Sequence, residues 1–400
     1  MKDKRLVIIF FTVFIDLVGF GIIIPLNPYL AGAFGASPLE VGLLMSVYSL
    51  MQFLFSPLWG QASDRFGRRP VILISLLGAA IAHASFGLAT SLWGLILARA
   101  FAGAFGGNIS AAMAYIADIT AEKDRSKGMG LIGAAFGLGF ICGPALGGVF
   151  AEVGKTLGSA PPLGESFPAL VAGGICFANF LAALKFLPET HAPSRSEDRG
   201  HRFRKMLAAF QTPVLGTVML LTFLNTFAMA HIEASLFLFV QEVHGWTLTQ
   251  ASFGFAYIGV VMVFTQGYLI RKWMPKHGER RLLGWGLSLS ALGFGLIGLG
   301  GPLPMLAFAV TLLGLGNGLV NPSLNGSVSL LSAQDVQGKN LGVAQSLSSL
   351  ARILGPATGG WIYMRLGVGW PFLAASAICF GALAVALKIH SELPDRGRSV

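Results

Sequence analysis

Long apolar runs separated by short polar segments repeat along almost the whole chain. An α-helix needs roughly 20 apolar residues to cross the hydrocarbon core of a bilayer, and the runs have about this length. The pattern predicts twelve spans, at residues 6–29, 41–62, 70–90, 92–118, 128–150, 168–187, 213–240, 250–270, 282–300, 303–330, 340–364 and 368–388. The chain is therefore predicted to be an all-α membrane protein.

Composition and charge support this interpretation. Of the 400 residues, 54% are hydrophobic and 12% are charged, whereas soluble domains carry about 25% charged residues. All but four of the 28 Lys and Arg residues lie in the tails, in the connections after even-numbered spans, or at span ends beside them; the exceptions are Arg99, Lys155, Arg352 and Arg365. By the positive-inside rule, both termini are predicted to be cytoplasmic. The net charge of +10 thus indicates orientation in a membrane and not a nucleic-acid partner.

The first apolar run and the cysteines need separate interpretation. Lys2–Arg5 precedes a long apolar run, but no small-residue cleavage site follows a short apolar core. We therefore expect a retained first span and not a signal peptide. Cys142, Cys176 and Cys379 lie inside spans without metal-type spacing, so they are predicted to be small packing residues and no metal site is expected.

A glycine and proline row indicates an internal duplication. The row in the fifth span is Gly130-x8-Gly139-x3-Gly143-Pro144-x2-Gly147-Gly148. It returns with the same spacing from Gly342 to Gly360, with one glycine replaced by alanine. The repeat predicts two pseudo-symmetric six-helix bundles at 1–187 and 213–400, joined by a cytoplasmic linker at 188–212. Parallel repeats of this kind place a substrate site between the halves near the bilayer midplane.

Ionisable residues inside the first half are the sharpest functional signal, because charges at membrane depth are costly and mark pathways, proton relays or partners. Asp16 lies in the first span and Arg99 in the fourth. We predict that they interact on the cavity side of this half and take part in proton coupling or substrate binding; a structural ion pair is the alternative. His83 in the third span has a side chain that titrates near neutral pH, or it is a packing residue.

The second half contributes two further charged candidates. Glu233 lies beside His231 in the seventh span and is either a proton carrier or a binder of cationic substrates. Arg352 in the eleventh span is a candidate for attracting an anionic substrate or pairing with Glu233. Polar residues at mid-depth are predicted to line the cavity or to join helices: Gln52, Asn108, Asn225, Gln266, Asn317, Asn321, Asn325 and Gln345.

The loop Gly60-x3-Asp64-Arg65-x-Gly67-Arg68-Arg69 resembles the signature loop of the major facilitator superfamily. The row in the fifth span resembles the signature of its drug/proton antiporter branch. Asp16 to Pro25, with Tyr115-Ile-Ala-Asp118 in the fourth span, resembles tetracycline/proton antiporters in particular. The match is dense over the first 150 residues and thinner afterwards.

The resemblance implies the major facilitator fold and gives some motifs a role. It implies that the arginines of the signature loop pair with Asp64 or Asp118 as a conformational latch; the alternative is that they only set topology. It also implies that the glycine row marks antiporters, whereas plain helix packing explains any single glycine. Tetracycline antiporters carry acids in the third and ninth spans. The chain has His83 in the third and no acid from Leu282 to Gly300, so the sequence does not identify the substrate.

Taken with the resemblance, the sequence predicts proton-coupled export of small amphipathic compounds by a monomer in a bacterial inner membrane. We expect a small-molecule substrate and the lipid bilayer as partners, protons as the coupling ion, and no cofactor. Neither a nucleotide-binding loop nor a His-Glu-x2-His pair occurs, which argues against an enzyme or an ATP-driven pump. Proton-coupled import of a metabolite is the second hypothesis, and a channel or a membrane receptor is the third.

Overall fold

The computed structural model describes residues 4–106, 108–120, 125–190, 213–332, 336–389 and 392–393. Because lipid offers no hydrogen-bond partners, a spanning segment satisfies its own backbone groups as a helix. The α-helices of the described residues are α1 Lys4–Ala33, α2 Pro38–Phe66, α3 Arg68–Gly87, α4 Leu92–Phe105, α5 Asn108–Ile119, α6 Arg125–Leu157, α7 Phe167–Phe186, α8 Pro213–His244, α9 Leu248–Phe264, α10 Ile270–Gly298, α11 Leu303–Leu330, α12 Gln337–Leu366 and α13 Trp370–Lys388. The predicted all-α fold class is confirmed.

The helices correspond to the predicted spans with two differences. In the described residues, ten helical stretches are long and apolar enough to cross a membrane. One of them, Leu248–Gly298, contains both the eighth and the ninth predicted spans, and Gln337–Leu366 lies at the predicted eleventh span although it is not among the ten. The fourth predicted span consists of two helices, α4 and α5. The twelve predicted spans thus fit the observed helices.

The predicted connection between the eighth and ninth spans is a sharp turn at Gly278 with helix on both sides. The π-helix Thr265–Leu269 joins α9 to α10, and the helical conformation of α10 is interrupted by non-helical backbone angles at Gly278. The bend requires glycine because its φ of 69° lies in the region that L side chains rarely adopt. Gly67, which precedes α3, has a φ of 103°. These two glycines occupy corresponding places in a duplicated loop, which runs from Gly60 to Arg69 in the first half and from Gly267 to Arg281 in the second.

The duplication also extends to helix capping. At the start of α2, the backbone N–H of Ser37 donates to Glu40 Oε2 at 2.7 Å, and the Glu40 N–H donates to Ser37 Oγ at 3.4 Å. At the start of α9, Thr247 and Gln250 exchange the same two bonds at 2.9 and 3.4 Å. Both are capping boxes, which satisfy N–H groups that the first turn leaves unpaired.

The described residues form two compact units. The first contains residues within 1–36, 47–198 and 245–257, and the second contains those within 37–46, 199–244 and 258–400. The first has an apolar core that includes Ile9, Leu76 and Tyr115, and the core of the second includes Val218, Leu287 and Val320. Residues 191–212, which make up most of the predicted linker, lie outside the described part.

Candidate functional site

A buried charged cluster lies in the first unit among helices α1, α3, α4 and α7. The side chains of Asp16, His83 and Arg99 are all buried, with relative exposures of 9%, 4% and 3%. The guanidinium carbon of Arg99 lies 4.3 Å from the ring centroid of Tyr48 and 5.7 Å from that of Phe20. Phe20 follows Asp16 by about one turn of α1, so the carboxylate and the stacked guanidinium lie on the same side of that helix. A direct Asp16–Arg99 interaction stays a prediction.

Close packing holds His83 and Asp16 in this cluster. A Cβ at Gly19 would lie 2.5 Å from Cys176 Sγ and 3.7 Å from His83 Cδ2, so only glycine fits at this position of α1. Cys176 is a near neighbour of Asp16, and His83 is a near neighbour of Arg99. Four helices therefore meet around ionisable groups that can exchange a proton or bind a polar part of a ligand.

A row of half-buried aromatic rings extends from Arg99. The Phe20 ring centroid lies 5.1 Å from that of Tyr48 and 6.2 Å from that of Phe140. The Phe140 ring centroid in turn lies 6.5 Å from that of Phe255. Each ring keeps part of its surface exposed, and such surfaces stack readily on other aromatic rings. The sequence did not predict this row, because its members come from α1, α2, α6 and α9.

Two of the predicted polar residues of this unit lie at the break between α4 and α5. Gln52 is half-buried and donates to the carbonyl oxygen of Gly106 at 3.0 Å and to the Tyr48 hydroxyl at 3.4 Å. It thus connects the break to a ring that stacks on Arg99. Asn108 begins α5, but its side chain lies outside the described residues.

The signature loop forms a second cluster, at the end of the first unit where α2 meets α3. Arg68 is buried, and its guanidinium contacts Asp64 Oδ1 at 2.5 Å, Asp118 Oδ2 at 3.0 Å and Ser63 Oγ at 3.1 Å. One arginine thereby joins the end of α2, the start of α3 and the end of α5. Two other residues of the loop are less closely packed than Arg68. Arg65 is exposed, and a Cβ at Gly60 would meet no atom within 4 Å.

Glu189, which sequence reasoning missed, completes this second cluster. Its carboxylate accepts hydrogen bonds from the backbone N–H groups of Arg68 at 3.0 Å and Arg69 at 3.1 Å. Arg69 also donates from Nη2 to the Leu184 carbonyl oxygen at 2.6 Å. A Cβ at Gly67 would collide with the Glu189 carboxylate. The available signal was an acid two residues after the apolar run of α7, which alone does not indicate its partner.

The predicted polar residues of the second unit fall into a bonded set and an exposed set. Asn317 Oδ1 accepts from Asn225 Nδ2 at 3.4 Å and from Asn321 Nδ2 at 3.1 Å. Asn317 Nδ2 lies 3.9 Å from Met262 Sδ. This arrangement joins α8, α9 and α11 and fits the alternative role of connecting helices. The exposed set consists of Gln266, Asn325 and Gln345.

The charged candidates of the second unit lie on α8 and α12. Glu233 is half-buried on α8, whereas Arg352 is exposed on α12, and a pairing between them stays a prediction. His231 is buried; its Nδ1 lies 2.8 Å from the Phe227 carbonyl oxygen and its Nε2 lies 3.5 Å from Thr358 Oγ1. Between the ends of α8 and α12, the Tyr363 hydroxyl donates to Glu242 Oε2 at 2.6 Å.

The glycine row forms a helix-packing surface along α6. A Cβ at Gly139 would lie 2.7 Å from Leu17 Cβ, and one at Gly143 would lie 2.7 Å from Gly21 Cα. Gly147 approaches the Ile22 carbonyl oxygen, whereas Gly148 contacts the start of α9 through Ser252. Pro144 lies inside α6 near Gly21, and Gly130 has open space around it. Small residues at four-residue intervals thus let α1 and α6 approach closely.

Comparisons with known proteins agree with this architecture. The family model described as Major Facilitator Superfamily matches residues 9–277 and 270–399. The tetracycline resistance protein of class E from Escherichia coli is 32% identical over 391 residues, which cover 94% of this chain and 93% of that protein. Multidrug resistance protein 1 from Bacillus subtilis (strain 168) is 28% identical and covers 98% of this chain and 97% of its own.

Solved structures show the same fold. A bacterial homologue of the human lysosomal transporter Spinster, in an inward-facing and occupied conformation, superimposes with a TM-score of 0.80 at 15% identity and covers 98% of each chain. The human organic anion transporter MFSD10 (TETRAN) gives a TM-score of 0.70 at 27% identity, covering 96% of this chain and 99% of that one.

Proposed function

Because the chain belongs to the Major Facilitator Superfamily, we propose that it is a proton-coupled exporter of small amphipathic compounds that works by alternating access. The observation that carries this proposal is the buried cluster of Asp16, His83 and Arg99 in a membrane-spanning unit. Its relatives include tetracycline and multidrug resistance proteins, which favours export over import. The proposal places the chain in a bacterial inner membrane, as a monomer with cytoplasmic termini and without a cofactor.

Asp16 is the proposed proton-exchanging group. Burial disfavours a charged carboxylate, while a nearby guanidinium favours it, so small changes in the surroundings shift the balance. Arg99 stays charged and is held by Tyr48 and Phe20, since an arginine does not lose its proton in proteins. Entry of a substrate or water beside Arg99 changes this balance and triggers proton release from Asp16. Glu233 is the second proposed proton or substrate group.

The aromatic row supports a substrate with a flat apolar part. Phe20 offers a half-buried ring surface beside the guanidinium, and Phe140 and Phe255 continue the row away from it. A compound with an aromatic portion stacks on these rings while a polar portion approaches Arg99 or Asp16. The Arg68 cluster is the proposed latch, because it joins the ends of α2, α3 and α5 through ion pairs that can form in one conformation and break in another.

Everted membrane vesicles from cells that express the full chain test this function. Acidification of the vesicle interior should drive uptake of an amphipathic aromatic dye, and a protonophore should abolish it. Asp16→Asn should remove proton-driven uptake, whereas Glu152→Gln, which alters an exposed carboxylate of α6, should retain it. Full coupling in Asp16→Asn would exclude the proposed role of Asp16. Accumulation only in right-side-out vesicles under an inward proton gradient would indicate an importer, and uncoupled flux would indicate a channel.

A further inference from the structure

The helical segment from Phe264 through the π-helix to the part of α10 before Gly278 has an exposed side that changes from apolar to cationic. Phe264 and Tyr268 are 52% and 53% exposed, and their stacked ring centroids lie 5.4 Å apart. Lys272 follows by four residues, with Nζ 5.7 Å from the Tyr268 ring centroid. This order of phenyl, phenol and ammonium groups is that of a helix leaving the hydrocarbon and entering the headgroup layer.

A tryptophan pair lies across the bend at Gly278. Trp273 precedes the bend and Trp285 follows it, and their ring centroids are 6.2 Å apart in an edge-to-face arrangement. His277 lies 5.0 Å from Trp285. Trp285 is 43% exposed, and tryptophan side chains favour the level of the lipid headgroups. The rings on both sides of the bend therefore indicate where this segment meets the membrane surface.

The exposed charged side chains around the bend are all cationic. Arg271, Lys272, Lys276 and Arg281 are exposed, and no carboxylate pairs with them within the described part of the chain. Glu279, the acid of this segment, is 1% exposed and packs against α11 at Gly326.

The duplicated loop of the first unit differs in this respect. There Asp64 and Asp118 both contact Arg68, so its buried cation is compensated within the protein. The second copy has lost that Asp-Arg pair and presents its cations to the outside. Cations that the protein leaves uncompensated at the headgroup level attract an external anion.

We propose that this surface binds the headgroup of an anionic phospholipid. The surface is named the basic-aromatic junction and consists of Tyr268, Lys272, Trp273, Lys276, Arg281 and Trp285. Its cations contact the lipid phosphate, and its rings lie at the glycerol level, with Phe264 against the acyl chain. Charge complementarity selects an anionic lipid over a zwitterionic one, since each Lys or Arg near an anionic membrane surface is worth about fivefold in affinity. The proposal does not depend on the transported substrate.

Native mass spectrometry of the detergent-purified full chain tests it, with phosphatidylglycerol and phosphatidylcholine of identical acyl chains as probes. The triple variant Lys272→Gln, Lys276→Gln, Arg281→Gln should bind phosphatidylglycerol at least tenfold more weakly than the wild type. The matched control Lys185→Gln, Arg365→Gln, Lys388→Gln removes three exposed cations elsewhere and should change the affinity less than twofold.

Three results would overturn the proposal. The first is an equal loss of phosphatidylglycerol affinity in the triple variant and in the matched control. The second is equal affinity of the wild type for the two lipids. The third is binding of soluble glycerol phosphate as tight as that of phosphatidylglycerol. If the triple variant does not fold, a tryptophan-quenching experiment on the wild type still tests the proposed lipid site. Phosphatidylglycerol brominated on its acyl chains should quench tryptophan emission more than brominated phosphatidylcholine, and Trp285→Phe should reduce that difference. Equal quenching by the two lipids would reject the site.

Discussion

Removal of the Glu189 carboxylate should loosen the start of α3. In the wild type this carboxylate accepts from the N–H groups of Arg68 and Arg69, the first two residues of the helix. It also accepts from the N–H of Thr190 at 2.9 Å. The N-cap residue of α3, Gly67, makes no side-chain cap hydrogen bond. Glu189→Ala therefore leaves the first N–H groups of α3 to water.

The size of the effect follows from these bonds. Loss of a side-chain cap costs about 0.5–2 kcal/mol, and a carboxylate at the positive end of a helix contributes about 0.3–1 kcal/mol. Solvent screening reduces the second contribution because Glu189 is exposed. We therefore expect a loss of about 1–2 kcal/mol. The Arg68 ion pairs should weaken as well, because they require a fixed start of α3.

Thermal unfolding of the detergent-purified chain, followed by intrinsic fluorescence, measures this loss. Glu189→Ala should lower the Tm by roughly 2–6 °C, and Glu189→Gln should fall between it and the wild type, because an amide oxygen still accepts but carries no charge. Glu392→Ala, which removes an exposed carboxylate after α13, is the matched control. A Tm of Glu189→Ala equal to that of the wild type, or an equal decrease in Tm in the control, would refute this role of Glu189.

Three further predictions concern other contacts. Arg99→Lys keeps the charge but loses the planar stacking on two rings. Because Arg and Lys are not interchangeable at stacked sites, dye transport in everted vesicles should fall at least tenfold. Unchanged transport would show that only the charge matters. Tyr363→Phe removes the hydrogen bond to Glu242 and should cost about 1 kcal/mol in chemical unfolding, with no change contradicting a stabilising role. Gly21→Ala places a Cβ 2.8 Å from the Gly139 carbonyl oxygen and should cost about 1–3 kcal/mol by overpacking; a thermal transition equal to that of the wild type would refute the tight α1–α6 contact.

The sequence predicted the helices and the duplicated glycine row because their signals are local. Apolar length, the glycine row and the basic connections are each contained in a short stretch of the chain, and the bilayer converts them directly into spans and orientation. The Asp64–Arg68 contact was also within reach, since the two residues lie only four positions apart in the signature loop. The helical conformation of the residues from Ile270 to the turn at Gly278 was missed because its charged residues have the composition of a loop.

The contacts between distant residues depended on the tertiary structure. Glu189 lies 121 residues from Arg68, and nothing in its own neighbourhood specifies that partner. Phe20, Phe140 and Phe255 look like three ordinary apolar residues until α1, α6 and α9 pack together. The sequence by itself determined which segments enter the membrane, because burial in lipid depends on composition and length. Only the tertiary structure decided which side chains meet, because helix packing is set by the shapes of surfaces that come from separate parts of the chain.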